Sequence, residues 1–435
     1  MAQERAILVG LDLKGRRSAA SREADYTAEE SLEELAALAK SAGAEVLDRV
    51  LQCRERPDAA TLIGAGKTEE VAGLAEGAEA GVVIFDHDLT PTQLRNLERR
   101  FARKVIDRTQ LILDIFARRA RTREGQLQVE LAQLNYLLPR LAGRGVEMSR
   151  LGGGIGTRGP GETQLETDRR RLFRRIRKVE KDLEAVRASR GIQRRKRQAV
   201  PLATAALVGY TNAGKSTLFN RLSGAAVLAD ARLFATLDPT VRSVLLPSRR
   251  RVLLSDTVGF IRNLPVTLVE AFRATLEEVR QAALLLHVAD ASSPHAAQQM
   301  AHVRKVLSEI GAGEAPQVLV LNKTDLVEAA GEGLEALGQR LLAGAELHSR
   351  AAAVSARTGQ GLKRLLELVD EVLSVDPVSA ATFCFPFREG AEIHLLYEHG
   401  RVTSRRYEGE RSIIEAQAPE SLKRRLARFL ASSAG

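Results

Sequence analysis

The feature that most constrains the fold of this 435-residue chain is a glycine-rich loop placed directly after a short apolar run. Residues 205–208 (AALV) predict a buried strand, and residues 209–216 (GYTNAGKS) form the loop. The next residues, beginning TLFN at 217, predict a helix. A strand, a loop of this type and a helix in this order are typical of an α/β domain with a parallel sheet. The pattern also predicts an anion site at the start of the helix.

Phosphate binding is the chemistry that this loop predicts. Its backbone N–H groups would surround the phosphates, Lys215 would reach the β- and γ-phosphates, and Ser216 would bind Mg²⁺. A chance glycine-rich turn is the alternative for the loop alone, and three further motifs in register argue against it. The loop residues predicted to contact a nucleotide are Gly209, Tyr210, Thr211, Asn212, Ala213, Gly214, Lys215, Ser216 and Thr217.

The second motif follows the apolar residues 251–254 and consists of Asp256, Thr257, Val258 and Gly259. The Asp256 carboxylate can hold the Mg²⁺ shell, and the Gly259 N–H can touch the γ-phosphate, a contact that hydrolysis removes. Phe260 comes next, where many GTPases carry a glutamine that orients the attacking water. Because phenylalanine has no polar group, we expect slow hydrolysis by the isolated protein and stimulation by a partner. No catalytic base is evident in the sequence.

Two more motifs predict that the base is guanine. Guanine presents two neighbouring donors that one carboxylate can accept, and adenine lacks this pair. We assign the carboxylate to Asp325, with Asn322 at the opposite edge of the base and the Lys323 stem on its face. A backbone N–H after the apolar residues 352–354 would reach the guanine O6. The residues of these motifs are Asn322, Lys323 and Asp325, then Ser355, Ala356 and Arg357.

A mobile segment between the first helix and residue 251 would supply a second Mg²⁺ ligand. We prefer Thr236, with Thr240 as the second choice and an ordinary polar turn as the alternative. The residues of this segment predicted to lie at the nucleotide are Phe234, Ala235, Thr236, Leu237 and Asp238.

Composition places this chain among multidomain globular proteins, because 435 residues exceed one ordinary core and 44 % are hydrophobic. Cys53 and Cys384 are far apart and lack metal-site spacing. No apolar run has the roughly 18 residues of a membrane span, and the N-terminus lacks a signal-peptide pattern. We therefore expect a cytoplasmic protein with reduced thiols.

The positive charge lies in one segment. Between Asp168 and Gln198 there are 14 Lys or Arg and four Asp or Glu, an excess equal to the net charge of +10 of the whole chain. Four acids cannot neutralise so many bases, so we favour a nucleic-acid partner over a solvated helix face. Aromatic residues make up only 4 % of the chain, which favours contact with the nucleic-acid backbone over base stacking. The predicted contacts are Arg169, Arg170, Arg171, Arg174 and Arg175.

Four parts are predicted along the chain. Residues 1–115 form an N-terminal α/β domain, 116–198 a basic helical hairpin, 202–374 a P-loop GTPase domain of α/β class, and 378–435 a small C-terminal α+β domain. In the hairpin, helices over about 119–141 and 162–190 flank a glycine-rich tip at 143–161, and 193–201 is a hydrophilic link. A disordered linker is the alternative, which the apolar stripes on both helices oppose. In the tail, 392–396 and 412–415 predict strands, and a helix starts near Pro419.

The N-terminal domain contains a second short glycine motif, IGAGKTEE at residues 63–70. A turn of this type at a helix start can hold a phosphate, but the signal is short. A structural turn is the default interpretation, and a second nucleotide or RNA-phosphate site is the alternative.

These motifs together resemble those of the HflX GTPases. The resemblance rests on residues 63–70, on GQLQVELAQL at 125–134, on GPGETQLETD at 159–168 and on FATLDPT at 234–240, and it covers roughly residues 1–370. It implies a ribosome-associated GTPase of the Obg-like group that binds the large subunit and ribosomal RNA, is stimulated by ribosomes, and splits stalled ribosomes under stress. It also implies possible ATP binding at the N-terminal domain, with residues 64–67 as the place to test.

The expected function is therefore that of a ribosome-dependent, Mg²⁺-using GTPase, monomeric, cytoplasmic and partly ribosome-bound. Two other classes stay open. One is an RNA-remodelling protein that uses ATP through its N-terminal domain with GTP as regulator, and the other is a ribosome-assembly factor or platform.

Overall fold

The computed structural model describes residues 3–13, 27–141, 160–198, 202–224, 233–234, 236–262, 273–329, 350–373, 378–386, 388–409 and 411–431. The predicted hairpin tip at 143–161 therefore lies almost wholly outside the described residues, as does Ala235. The chain divides into two compact units. The first comprises residues 1–190, 230–238 and 260–275, and the second comprises 191–229, 239–259 and 276–435.

The first unit is built on a four-stranded parallel sheet with the order β2-β1-β3-β4. Its strands are β1 (Glu4–Leu13), β2 (Ala44–Arg54), β3 (Val82–Phe85) and β4 (Lys104–Asp107). Its helices are α1 (Ala28–Ser41), α2 (Ala65–Gly77), α3 (Pro91–Phe101) and α4 (Arg108–Arg119). The alternation of strand and helix explains the parallel arrangement, because each connecting helix returns the chain to the end of the sheet at which the preceding strand began.

Helix starts in this sheet domain are set by local side chains. Thr27 before α1 and Thr90 before α3 each accept a hydrogen bond from the N–H of the third helical residue. The side-chain oxygens of Glu30 and Gln93 in turn accept one from the backbone N–H of the capping threonine. These reciprocal bonds satisfy backbone N–H groups that a helix start leaves open. Pro91 occupies the first turn of α3, where a missing N–H costs nothing.

Two long helices form the predicted hairpin arms, α5 (Arg123–Leu141) and α6 (Pro160–Gln198). Buried Leu127 of α5 packs with Val179 and Leu183 of α6, so the apolar stripes face each other as predicted. Two boundaries were wrong. The helix predicted from Arg119 is broken at residues 120–122, between α4 and α5, and α6 continues to Gln198 through most of the predicted link.

The second unit contains a six-stranded sheet with the order β10-β9-β8-β5-β7-β6, in which only β6 is antiparallel. Its strands are β5 (Thr204–Gly209), β6 (Thr240–Leu245), β7 (Arg251–Asp256), β8 (Leu284–Asp290), β9 (Gln317–Asn322) and β10 (Arg350–Ala353). The described helices are α7 (Lys215–Ser223), α8 (Arg273–Arg280, whose first residues belong to the first unit), α9 (Ala296–Glu309), α10 (Thr324–Ala329) and α11 (Leu362–Val372). The central strands β5, β8 and β9 are almost wholly buried, which explains their continuous apolar runs.

The C-terminal part of this unit is a three-stranded antiparallel sheet with the order β11-β13-β12. Its elements are β11 (Val378–Pro386), α12 (Gly390–His399), β12 (Arg401–Glu408), β13 (Arg411–Pro419) and α13 (Glu420–Arg425). The strand predicted at 392–396 was wrong, because these residues lie in α12. Ile393 and Leu396, three residues apart, pack in one core, as one face of a helix requires. The strand at 412–415 and the helix after Pro419 are confirmed.

Among the helices in the described ranges, none is both long and apolar enough to cross a membrane.

Candidate active site

The glycine-rich loop connects β5 to α7 with a backbone that needs glycine at two positions. Gly209 has a φ of 154° and Gly214 a φ of 90°. A Cβ on Gly209 would overlap the carbonyl oxygen of Val288, and one on Gly214 would overlap the side-chain amide of Asn322. Side chains at these positions would push the loop away from the neighbouring strands, so glycine is required for the close approach.

Lys215 lies at the start of α7 with its ammonium inside the loop. Its Nζ donates to the carbonyl oxygens of Gly209 over 3.1 Å and of Tyr210 over 2.8 Å. Burial lowers the pKa of Lys215 to about 8, although the Asp256 carboxylate acts in the opposite direction. Because the charged form pays for its removal from water, a bound phosphate would stabilise it. The lysine predicted to bind phosphate therefore lies inside the loop, and its contact with phosphate stays a prediction.

Ser216 and Asp256 come together at the ends of two adjacent elements. The Ser216 hydroxyl donates to Oδ2 of Asp256 over 2.7 Å, and Asp256 is fully buried at the end of β7. A hydroxyl and a carboxylate beside a phosphate loop are the oxygen donors that Mg²⁺ prefers. The two residues therefore fit the predicted metal site.

The residues after Asp256 approach the loop closely. The Thr257 hydroxyl donates to the Leu207 carbonyl over 2.5 Å. A Cβ on Gly259 would lie 2.9 Å from Cα of Thr211 and 3.0 Å from Nζ of Lys215. Glycine at this position lets the backbone run close to the phosphate loop. The contact of the Gly259 N–H with a γ-phosphate stays a prediction.

Asn322 links the two loops that were predicted to contact the nucleotide. Its Nδ2 donates to the Ala213 carbonyl over 2.8 Å, and its Oδ1 accepts from the Ala356 N–H over 3.0 Å. The side chain is 2 % exposed. We had expected this amide at the edge of the base. In the structure its described bonds are to backbone groups of the phosphate loop and the Ser355 loop.

The remaining guanine-motif residues lie beside Asn322. Oδ1 of Asp325 accepts from the Ser355 hydroxyl over 2.7 Å, which orients the carboxylate. Lys323 has a φ of 66°, and its Nζ contacts Oδ2 of Asp290 over 2.6 Å. Asp290 was missed by the sequence analysis. Its position at the end of β8, next to the strand that carries Asn322, was the available signal. Arg357 is exposed.

Residues 233–238 belong to the first unit. Phe234 is buried with its ring edge-on to Phe116, at 4.5 Å between centroids. Thr236 and Leu237 are buried as well. The Asp238 carboxylate accepts hydrogen bonds from the backbone N–H groups of residues 121 and 122. Phe260 is 6 % exposed, in keeping with its lack of a polar role.

His287 is a second residue that the sequence analysis missed. It is buried in β8, and no hydrogen-bond partner in the described part of the chain reaches its Nε2. Burial lowers its pKa to about 3, and the positive charges of Arg304 and Lys215 act in the same direction. A neutral histidine therefore lies behind the phosphate loop. A histidine in a strand is commonly an exposed polar residue. Only the apolar residues on both sides of His287 could have indicated that it is buried.

The predicted RNA-contact arginines all lie on exposed faces of α6. Three of them have acidic partners: Arg170 contacts Glu166, Arg171 contacts Asp168, and Arg175 contacts Glu130. The Arg169 guanidinium lies over the Phe173 ring, 5.6 Å from its centroid. Exposed ion pairs are weak, so these side chains are free to exchange partners for phosphates.

The second glycine motif forms the first turn of α2. The Gly64 N–H donates to Oε1 of Gln52 over 2.8 Å, and Lys67 contacts Glu70 over 2.7 Å. The Thr68 hydroxyl donates to the Gly64 carbonyl over 2.9 Å. These bonds explain the motif as a structural turn, the default interpretation.

Three family models match successive parts of the chain. Residues 29–117 match the family model "GTP-binding GTPase N-terminal", 119–197 match "GTP-binding GTPase Middle Region", and 204–323 match "50S ribosome-binding GTPase". The chain is 47 % identical over 404 residues to the GTPase HflX of Caldanaerobacter subterraneus, covering 93 % of this chain and 91 % of the relative. The chain belongs to the HflX family of GTPases. The HflX protein of Escherichia coli is 48 % identical over 361 residues, or 83 % of each chain.

Membership of the HflX family confirms the predicted fold class, a P-loop GTPase domain with an N-terminal α/β domain and a helical region. Among solved structures, a GTP-binding protein from Sulfolobus solfataricus in complex with GDP is similar, with 24 % identity, coverage of 85 % of this chain and 98 % of that chain, and a TM-score of 0.45. The family models and the HflX relatives show that the nucleotide motifs described above belong to a GTPase.

Proposed function

We propose that this HflX-family GTPase couples GTP hydrolysis to binding of the large ribosomal subunit. The match of residues 204–323 to the family described as "50S ribosome-binding GTPase" supports the partner. The exposed arginines of α6 supply positive charge for ribosomal RNA. Splitting or rescue of stalled ribosomes in the cytoplasm, by a monomer, is the form of this function that we favour.

The nucleotide would be held by the loop 209–216, with Asp325 reading guanine. Ser216, Asp256 and Thr236 would hold Mg²⁺, which neutralises charge on the β- and γ-phosphates when it is bound. Lys215 gives up its two carbonyl contacts or shares them with the phosphate oxygens. The Gly259 N–H reports whether the γ-phosphate is present.

We expect slow intrinsic hydrolysis because Phe260 follows Gly259, at the position where many GTPases carry a glutamine. Phe260 is buried and cannot orient water, so a group supplied or positioned by the ribosome would complete the site. The carboxylate of Asp256, at the end of β7, lies beside Ser216 and Lys215 of the phosphate loop, and this observation carries the GTPase part of the proposal.

The deciding experiment measures GTP hydrolysis by the purified protein, alone and with large subunits, alongside sedimentation of whole ribosomes. We expect strong stimulation by large subunits and GTP-dependent conversion of whole ribosomes to subunits. Stimulation without dissociation would indicate an assembly role instead of splitting. The absence of both effects would contradict the proposal. It would direct attention to ATP and free RNA at the N-terminal domain.

A further inference from the structure

Leu233 and Phe234, which begin the segment that carries the proposed metal ligand Thr236, pack within the first unit against α1 and α4. The Leu233 N–H donates to the Ser41 hydroxyl over 2.9 Å, at the end of α1. The Phe234 ring meets Phe116 of α4 edge-on. These contacts hold the beginning of the segment on the N-terminal sheet domain.

The end of the segment is held at the start of the first hairpin arm. Oδ2 of Asp238 accepts from the backbone N–H groups of Arg121, over 2.9 Å, and Thr122, over 2.8 Å. Oδ1 accepts a short hydrogen bond from the Thr122 hydroxyl. The same hydroxyl accepts from the Gly125 N–H over 3.0 Å in the first turn of α5. Asp238 and Thr122 together therefore cap this arm.

Two further features make the contact specific. A negative carboxylate at the start of a helix is stabilised by the helix dipole. Gly125 of α5 leaves the space that the carboxylate occupies, since a Cβ there would overlap Oδ1 of Asp238. An ordinary surface aspartate would need neither the three hydrogen-bond donors that Asp238 has nor a glycine opposite its carboxylate.

The chain itself limits how independently the metal ligand and the arm can move. Thr236 precedes Asp238 by two residues, which span at most about 7 Å when fully extended. A shift of Thr236 onto or away from a metal by more than a small distance therefore pulls on Asp238 or breaks its contact with Thr122.

We propose that Asp238 is a positioning residue that, through Thr122, makes the start of the hairpin arm α5 respond to the nucleotide. The inference rests on the proposed function, in which Thr236 binds Mg²⁺ when GTP is present. It extends that proposal by naming the connection between the nucleotide site and the element that would reach the ribosome.

Hydrogen exchange of the amides at residues 121–126 tests the connection without ribosomes. The full chain is compared with GDP and with a non-hydrolysable GTP analogue, each with Mg²⁺ and each with binding verified. We expect exchange in this peptide to differ between the two nucleotides by at least about tenfold in the unaltered protein. The difference should vanish in Asp238→Ala and in Thr122→Val.

Asp58→Ala is the matched control. Asp58 accepts the same set of bonds within its own turn, from the N–H groups of Ala60 and Thr61 and from the Thr61 hydroxyl. This variant should keep the nucleotide-dependent difference at residues 121–126. If Asp238→Ala does not fold, Thr122→Val decides alone.

Three results would overturn the connection: equal exchange with both nucleotides in the unaltered protein, a difference that survives in both the Asp238 and Thr122 variants, or a difference that Asp58→Ala also removes. The outcome is separable from that of the ribosome experiment. Flat exchange with ribosome-stimulated hydrolysis would reject only the Asp238 route. A nucleotide-dependent arm without ribosome stimulation would reject only the proposed partner.

Discussion

The hydroxyl of Ser216 donates a hydrogen bond to the buried carboxylate of Asp256 over 2.7 Å, although 40 residues separate them in the chain. The bond brings the ends of the phosphate loop and of β7 to one point. Because both oxygens suit Mg²⁺, the fold itself holds two of the proposed metal-shell groups together.

Ser216→Ala should therefore weaken Mg²⁺-dependent GTP binding by about tenfold, the cost of one lost interaction to a charged group. Affinity for a fluorescent GTP analogue, measured with Mg²⁺ and with excess chelator, checks this. The matched control is Ser223→Ala at the other end of α7, whose hydroxyl bonds to the Phe219 carbonyl. An equal loss with and without Mg²⁺ would contradict the assignment.

GTP binding should depend on pH because burial lowers the pKa of Lys215 to about 8. Phosphate contact favours the protonated lysine, so the pKa rises on binding. Above pH 8, binding must take up a proton, and affinity should fall by up to about tenfold per pH unit. Calorimetry in buffers of different ionisation enthalpy detects this uptake at pH 8.5. Lys215→Arg should abolish it, and a pH-independent affinity in the unaltered protein would refute the prediction.

Acid should destabilise the protein through His287. Burial and nearby positive charge lower its pKa to about 3, well below the unfolded value of 6.5. Protons therefore bind the unfolded chain more readily between these limits. The free energy of unfolding is unaffected above pH 6.5 and should fall by up to about 1.4 kcal/mol per pH unit below it. Denaturant unfolding of His287→Val should show a smaller slope between pH 6.5 and 5.

A matched control for this slope is His394→Gln, since the His394 side chain is 81 % exposed. That substitution should leave the pH dependence unchanged. The same slope in His287→Val and in the unaltered protein would show that other groups dominate the acid response.

Guanine selectivity should depend on Asp325, whose carboxylate is oriented by the Ser355 hydroxyl over 2.7 Å. Asp325→Asn should weaken GTP binding by about 100-fold, the loss of two bonds to a charged acceptor, and should favour xanthosine nucleotide. Ser355→Ala should cause a smaller loss without changing the preferred base. Competition binding with GTP, XTP and ATP measures both. Unchanged preference for guanine in Asp325→Asn would exclude this carboxylate as the reader.

Charge on α6 should set the salt dependence of ribosome binding. Log affinity for the large subunit falls as log salt rises, and replacing Arg169, Arg170 and Arg171 with Gln should reduce the magnitude of this negative slope by about 2. The affinity for GTP should stay unchanged. Binding of large subunits at several salt concentrations gives this slope. The control replaces Arg350 and Arg364, which are exposed and paired with acids in the same way. Unchanged binding of large subunits by the α6 variant would show that these arginines are solvated surface and do not contact the ribosome.

Sequence reasoning succeeded where a few neighbouring residues carry the constraint. The phosphate loop needs Gly209, Gly214 and Lys215 within seven positions, and the structure explains each by a contact or a backbone angle. The apolar pairing of α5 and α6 was predictable for the same reason, since helical spacing alone defines the face. The prediction of a strand from the sequence failed at 392–396, because a five-residue pattern fits a strand or a helix equally well.

The sequence by itself determined the fold class, the order of the nucleotide motifs and the concentration of positive charge on α6, because each depends on residue types at short, fixed spacing. Only the tertiary structure placed the Asn322 amide between Ala213 and Ala356, and joined Asp238 to Arg121 across 117 residues. Such contacts carry no local pattern. They exist because the folding of distant segments brings a donor and an acceptor within hydrogen-bonding distance, and that proximity is a property of the packed chain.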